Sequence, residues 1–153
     1  MSVTGDADLA QLLSMVAQRV TKRLVALLAE QDSSIDEWRV LSLLSDRDGQ
    51  SMSQIAEFSM LPAPTLTKVI DRMVAANLVY RRGDARDRRR VLVHLAPRGT
   101  ATFARLQTAV RAEQDRRDAL LSETVDPALL AQILSDVLAQ LGGRGDTQIR
   151  DIV

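Results

Sequence analysis

Six of the ten residues from Arg81 to Arg90 are arginine, and only Asp84 and Asp87 oppose them. This surplus of four positive charges sits in a chain whose twenty basic and twenty acidic side chains cancel. Guanidinium groups are planar, weakly hydrated donors suited to phosphate oxygens and to the narrow minor groove of DNA. A protein that binds nucleic acid through bulk charge is basic overall. A neutral chain with one basic loop fits docking on phosphates at a few chosen points. A second set of residues lies just before the loop. In the helical stretch 62–76, Leu66, Val69, Ile70, Met73 and Val74 fall on one face. Ala63, Pro64, Thr65, Thr67, Lys68, Asp71 and Arg72 show on the other. That outer face is small and hydroxylated near its N-terminus, so the backbone can come close to base edges in the major groove. Helix N-termini also favour phosphates. Taken singly, a solvated helix face and a solvated hairpin are the plainer alternatives.

Other chemistries find little support. There is no cysteine, which removes disulfides and thiolate metal sites. The single histidine, His94, turns outward if Val91, Val93 and Leu95 alternate inward. That makes it a solvated or phosphate-adjacent residue rather than a metal ligand. No pair of carboxylates recommends hydrolysis, and no glycine-rich loop cradles a phosphate. No catalytic residue, metal or cofactor is expected, and the chain does not read as an enzyme. No apolar run reaches 18 residues, so no membrane span is expected. The N-terminal sequence does not resemble a secretion signal, which points to the cytoplasm. The Arg144-Gly145-Asp146 triplet is then a chance occurrence of an adhesion-like motif.

The elements that position these residues are mostly helical. Leu9, Leu12, Leu13, Val16, Val20, Leu24, Leu27 and Leu28 repeat at helical spacing and predict a long amphipathic helix over about 8–30. Ser34 with Glu37, and Ser51 with Gln54, are capping-box patterns that open helices over about 35–45 and 52–58. Pro62 and Pro64 fit the first turn of the next helix. Asn77 suits its left-handed end. "LVYRR" and "RVLVHL" flank the arginine loop as a hairpin. A helix over about 98–121 follows, with Phe103, Leu106, Val110 and Leu120 on its inner side. Asp126-Pro127 opens a last helix, about 127–141, and about 142–153 reads as a tail. The fold class is mainly α with a small β-hairpin, in one domain spanning 1–153. The long apolar faces of about 8–30 and 98–141 exceed what a central lobe of about 34–97 can cover, and they predict a dimer.

Helix, three-residue turn, helix and basic hairpin together form a winged helix-turn-helix, with the second helix in the major groove and the wing on the backbone or minor groove. The stretch "SMSQIAEFSMLPAPTLTKVIDRMVAANLVYRRGDARDRRRVLVHLAPRG" resembles the MarR family of bacterial transcription regulators. The sharpest part is the wing pattern Asp84, Arg86, Asp87 and Arg89, followed by a strand and the helix-starting Gly99. The resemblance implies six helices and a two-stranded wing, dimerised through interlocking N- and C-terminal helices. It implies a homodimer on a pseudo-palindromic stretch of double-stranded DNA, as a repressor released by a ligand. Thr65, Thr67 and Lys68 would lie on the major-groove helix. Arg86 would be the wing-tip arginine in the minor groove, oriented by Asp84. The expected DNA-binding set is Ser51, Pro64, Thr65, Thr67, Lys68, Arg72, Asp84, Arg86, Arg88, Arg89 and Arg90.

Two positions depart from the family pattern. Pro62 stands where a serine cap is common, and Pro64 replaces a commonly polar residue, which leaves fewer side chains to read bases. Trp38, the only tryptophan, is either a core residue or a wall of the pocket where MarR-like proteins bind aromatic or phenolic effectors. Arg39 would pair there with an anionic ligand, or else form a surface salt bridge. The alternative to a DNA-binding regulator is a winged-helix module that binds another protein. It is favoured if the wing arginines are tied to Asp84, Asp87 or Asp71.

Overall fold

The computed structural model describes residues 8–87 and 89–141. Its elements are α1 (Leu9–Ala29), α2 (Ile35–Asp46), β1 (Gln50–Ser51), α3 (Met52–Ser59), α4 (Ala63–Ala75), β2 (Val79–Gly83), β3 (Val91–Leu95), α5 (Pro97–Leu121) and α6 (Pro127–Leu141). The 142–153 tail, its Arg-Gly-Asp triplet and Arg88 lie outside the described residues. The chain divides into two compact units, residues 1–110 and 111–153, with the boundary inside α5.

Local rules set the helix starts in the first unit. Both capping boxes form. The Ser34 hydroxyl accepts from the Glu37 N–H while the Glu37 carboxylate accepts from the Ser34 N–H. Ser51 and Gln54 repeat the exchange. The carboxylate of Asp8 caps α1 by accepting from the Ala10 N–H. Helix α4 has no side-chain cap, and Pro62 and Pro64 occupy its first positions.

Helix ends share a device. Asp32, Met60 and Asn77 all adopt left-handed backbone at φ 54°, 56° and 57°. After α4, the Asn77 N–H donates to the Val74 carbonyl and the Leu78 N–H to the Met73 carbonyl. This pair of bonds satisfies carbonyls that the helix end would leave open.

The sheet has three antiparallel strands in the order β1-β3-β2. Two were expected. Strand β1 is two polar residues, paired as Gln50 with Val93 and Ser51 with Leu92. It is too short to carry an alternating pattern, and only the edge of β3 gives it partners. The wing register pairs Val79 with Leu95 and Gly83 with Val91.

The core of this unit is aliphatic, with Leu28, Val40, Leu41, Leu44, Ile55, Leu66, Ile70, Met73, Val79, Val93 and Leu106 all but inaccessible. Gly99 marks a close approach. A Cβ there would overlap the Leu78 carbonyl oxygen, which also accepts from the Ala96 N–H. Only glycine lets α5 begin against the α4–β2 junction.

The faces of the long helices differ from expectation in extent. In α1 only Leu28 is buried, with Leu24 and Leu27 packed against the core; Leu9, Leu12, Leu13, Val16 and Val20 are exposed. Leu120 is 59% exposed instead of lying on an inner side, whereas Phe103, Leu106 and Val110 do pack inward. In the second unit, α6 has no buried residue, and Leu129, Ile133, Leu134, Leu138 and Leu141 are exposed.

Candidate nucleic-acid interface

The turn between α3 and α4 sets the pitch of the presented helix. Met60 bends the chain, and the Leu61 N–H donates back to the Ala56 carbonyl. Ser59 is fully buried, its hydroxyl donating to the Ile55 carbonyl at 2.6 Å. Arg39 reaches across from α2 and donates through Nη1 to the Ser59 carbonyl at 3.2 Å. One of its guanidinium donors therefore serves the backbone, a role that was not among those read from the sequence. Arg39 caps the end of α3, and a partner twenty residues away leaves no local mark in the sequence.

Helix α4 buries Leu66, Val69, Ile70 and Met73 as expected and exposes Ala63, Pro64, Thr65, Thr67, Lys68, Asp71 and Arg72. The two threonines differ. Thr67 donates its hydroxyl to the Ala63 carbonyl at 3.0 Å. The Thr65 hydroxyl has no partner among the described residues. Ser51, expected among the DNA contacts, is half-buried and commits its hydroxyl to capping α3.

The wing loop is held by its own aspartates. Asp84 Oδ1 accepts from the backbone N–H of Arg86 at 2.9 Å, and Asp87 Oδ1 from that of Arg89 at 3.0 Å. The Asp84 N–H donates to the Arg90 carbonyl, and the Arg90 N–H to the Asp87 carbonyl. Asp84 therefore fixes the backbone under Arg86 rather than its guanidinium. Among the described residues no carboxylate pairs with the side chains of Arg82, Arg86, Arg89 or Arg90, and all four are exposed. Arg81 is the exception, with Nη2 2.7 Å from Asp71 Oδ1 on α4.

The outer side of the wing base carries a cluster that the sequence did not reveal. His94 is not a free, solvated residue. Its ring stacks on Tyr80 at 5.3 Å between centroids, and its Nδ1 lies 2.9 Å from Asp48 Oδ2. Asp48 Oδ1 accepts from the Leu95 N–H at 2.8 Å. Burial pushes the Asp48 carboxyl up. The hydrogen bonds from His94 and Leu95 and the attraction of the His94 ring outweigh that and hold it below its usual value. Gly49, at φ +73°, makes room, since a Cβ would lie 2.8 Å from His94 Cε1. Alternation along β3 holds in part: Val93 is buried, but Val91 is exposed at the loop end. Gly49 marked a turn in the sequence, but nothing local tied Asp48 to a residue 46 positions on.

Trp38 is half-buried and stacks on Phe103 of α5, centroids 5.3 Å apart and planes 17° apart. It packs against the core, which is the first of the two roles read from its position.

Comparison with known proteins places this arrangement. Residues 34–91 match the MarR family. A MarR family transcriptional regulator from Silicibacter pomeroyi is 30% identical, over 92% of this chain and 98% of that one, with a TM-score of 0.78. The transcriptional repressor CouR, solved on a 23-mer DNA duplex, is 25% identical over 85% of this chain and 92% of its own, with a TM-score of 0.74. The HTH-type transcriptional repressor IacR of Pseudomonas putida is 29% identical over 99 residues. That match covers 65% of this chain but only 59% of IacR.

Proposed function

The chain belongs to the MarR family, and from that premise we propose that it is a sequence-specific DNA-binding transcriptional repressor. It acts in the cytoplasm as a homodimer on a pseudo-palindromic operator. Helix α4 enters the major groove, with Thr65, Lys68 and Arg72 toward the bases and backbone. The wing places Arg86 in the minor groove, while Arg89 and Arg90 meet phosphates. The observation that carries this reading is the state of the wing charges. Asp84 and Asp87 each give Oδ1 to a backbone N–H, and among the described residues no carboxylate pairs with Arg82, Arg86, Arg89 or Arg90, so these guanidinium groups keep their donors for another molecule. A module that binds protein would be favoured by wing arginines tied up internally, and among the described residues only Arg81 is so tied.

The exposed apolar residues of α1 and α6 support self-association, because contiguous apolar surface of that kind usually marks an interface. The effector reading rests on the family membership: a small aromatic or anionic ligand is proposed as the releasing signal, with Trp38 on α2 as the residue to test. A ligand that binds the released form about 100-fold better than the DNA-competent form supplies roughly 2.7 kcal/mol, within the usual allosteric range.

The test is a salt titration on host genomic fragments. A phosphate-docking protein loses affinity linearly in log–log form as salt rises. Binding to some fragments should survive physiological salt while a scrambled duplex is released. Absence of any selective fragment would overturn the reading.

A further inference from the structure

We infer that the N-terminal half of α4 reads thymine methyl groups in the major groove, through Pro64 and Thr67. This rests on the DNA-binding reading above and names what that surface recognises. Pro64 sits in the first turn, exposed, with no N–H and only ring methylenes to offer. Thr67 follows it at i+3, so the two are neighbours on one helix face. The one side-chain donor of Thr67 is spent on the Ala63 carbonyl. What remains to present is its methyl group and the lone pairs of its oxygen. Ala63 adds another methyl to the same turn. Asp71, the one acid on the outer face of α4, has Oδ1 paired with Arg81, which competes with cytosine N4 for it.

In the major groove the C5-methyl of thymine distinguishes an A·T pair from G·C, and apolar side chains or a threonine methyl contact it. The adenine of the same pair shows an N6–H donor, which the remaining lone pairs of Thr67 can accept. An apolar patch with an acceptor at its edge therefore complements A·T. Lys68 and Arg72, the donors of the same helix, suit guanine O6 and N7 instead. Thr65, on the opposite flank with no hydroxyl partner among the described residues, can serve either kind of pair.

The experiment uses one duplex selected from genomic fragments, in two forms: with thymine, and with deoxyuridine replacing every thymine of the half-sites. Both are titrated at fixed salt with the full chain and with Thr67→Ser and Thr67→Val. Burying one methyl group is worth about fourfold in affinity. The unsubstituted protein should therefore favour the thymine duplex by about fourfold for each methyl contacted. Thr67→Val keeps the methyl and should keep that preference. Thr67→Ser keeps the internal hydroxyl, loses the methyl and should lose about one such factor. An effect of deoxyuridine on DNA stiffness alone would appear equally in all three proteins. Equal binding of the two duplexes by the unsubstituted protein, or a preference unchanged in Thr67→Ser, overturns the inference and leaves DNA binding intact. Failure to bind the thymine duplex selectively overturns the DNA-binding reading itself.

Discussion

Arg81 in the wing and Asp71 on the presented helix are joined by a 2.7 Å ion pair that ties β2 to α4 through opposite charges. Both partners are well exposed, with 36% and 56% of their side-chain surface open. Exposed pairs of this kind contribute about 0.2–1 kcal/mol. Asp71→Ala should therefore barely move the unfolding midpoint. It should also free Arg81 and remove a negative charge from the DNA face. We expect tighter binding to a scrambled duplex and a salt slope steeper by about one unit. Weaker binding to every duplex would mean instead that the pair sets the angle of the wing.

Arg86→Ala should weaken DNA binding, most on A·T-rich flanks where the minor groove is narrow. Its side chain is exposed, so stability should not change. Lys68→Ala should relax preference at one position per half-site by about 1–3 kcal/mol if it reaches a base, or lower the salt slope by about one unit if it meets phosphate. The double variant should be close to additive, because the two act in different grooves. Full operator binding by Arg86→Ala at physiological salt would remove the main support for the role given to the wing.

Asp48 predicts a dependence on acid. Its carboxyl is held below the ordinary aspartate value. Its contribution to stability is therefore fully present above that ordinary value and is lost as pH falls through the lowered folded pKa. Urea unfolding of the unsubstituted protein and of Asp48→Asn should differ at about pH 5, and the gap should narrow as pH falls through the lowered folded pKa. A constant gap across that range would show that the ion-dependent contacts of Asp48 with His94 and Leu95 do not contribute.

Gly99→Ala should be among the most damaging single-methyl additions. The new Cβ would overlap the Leu78 carbonyl oxygen, a backbone atom that cannot swing aside. Overpacking typically costs about 1–3 kcal/mol, and this site should reach the upper end. Gly83→Ala is the control, since nothing lies within 4 Å of its added Cβ. Equal denaturation midpoints for the two variants would refute the close approach.

Self-association is checked by sedimentation equilibrium at micromolar concentration. A dimer is expected, with its two presented helices about 34–36 Å apart, one turn of DNA. A well-folded monomer would contradict it. Val16→Glu in α1 and Ile133→Glu in α6 each put a charge on an exposed apolar residue. Measured separately, each should shift the equilibrium toward monomer while leaving helix content unchanged.

Local signals in the sequence carried much of this architecture. Both capping boxes, the inward face of α4, the left-handed Asn77 and the wing strands were legible because each depends on residues a few positions apart. Features that join distant residues were not. Strand β1 needs the edge of β3, Arg39 needs the end of α3, and Asp48 needs His94. Periodicity also overstated burial. Leu120 and Val91 follow the correct spacing, yet among the described residues nothing covers them. Asp84 illustrates a finer miss, since its role was assigned to a side chain and the structure gives it to a backbone N–H.

Leu78 has a mechanical consequence. Its N–H is bonded to the end of α4, its carbonyl to Ala96, and Gly99 of α5 is seated on that same oxygen. One residue thus pins two helices at a common pivot. The first turns of α5 cannot shift by bending a slack connection, because the connection has no slack. The end of α4 and the start of α5 thus share a single peptide group as their joint.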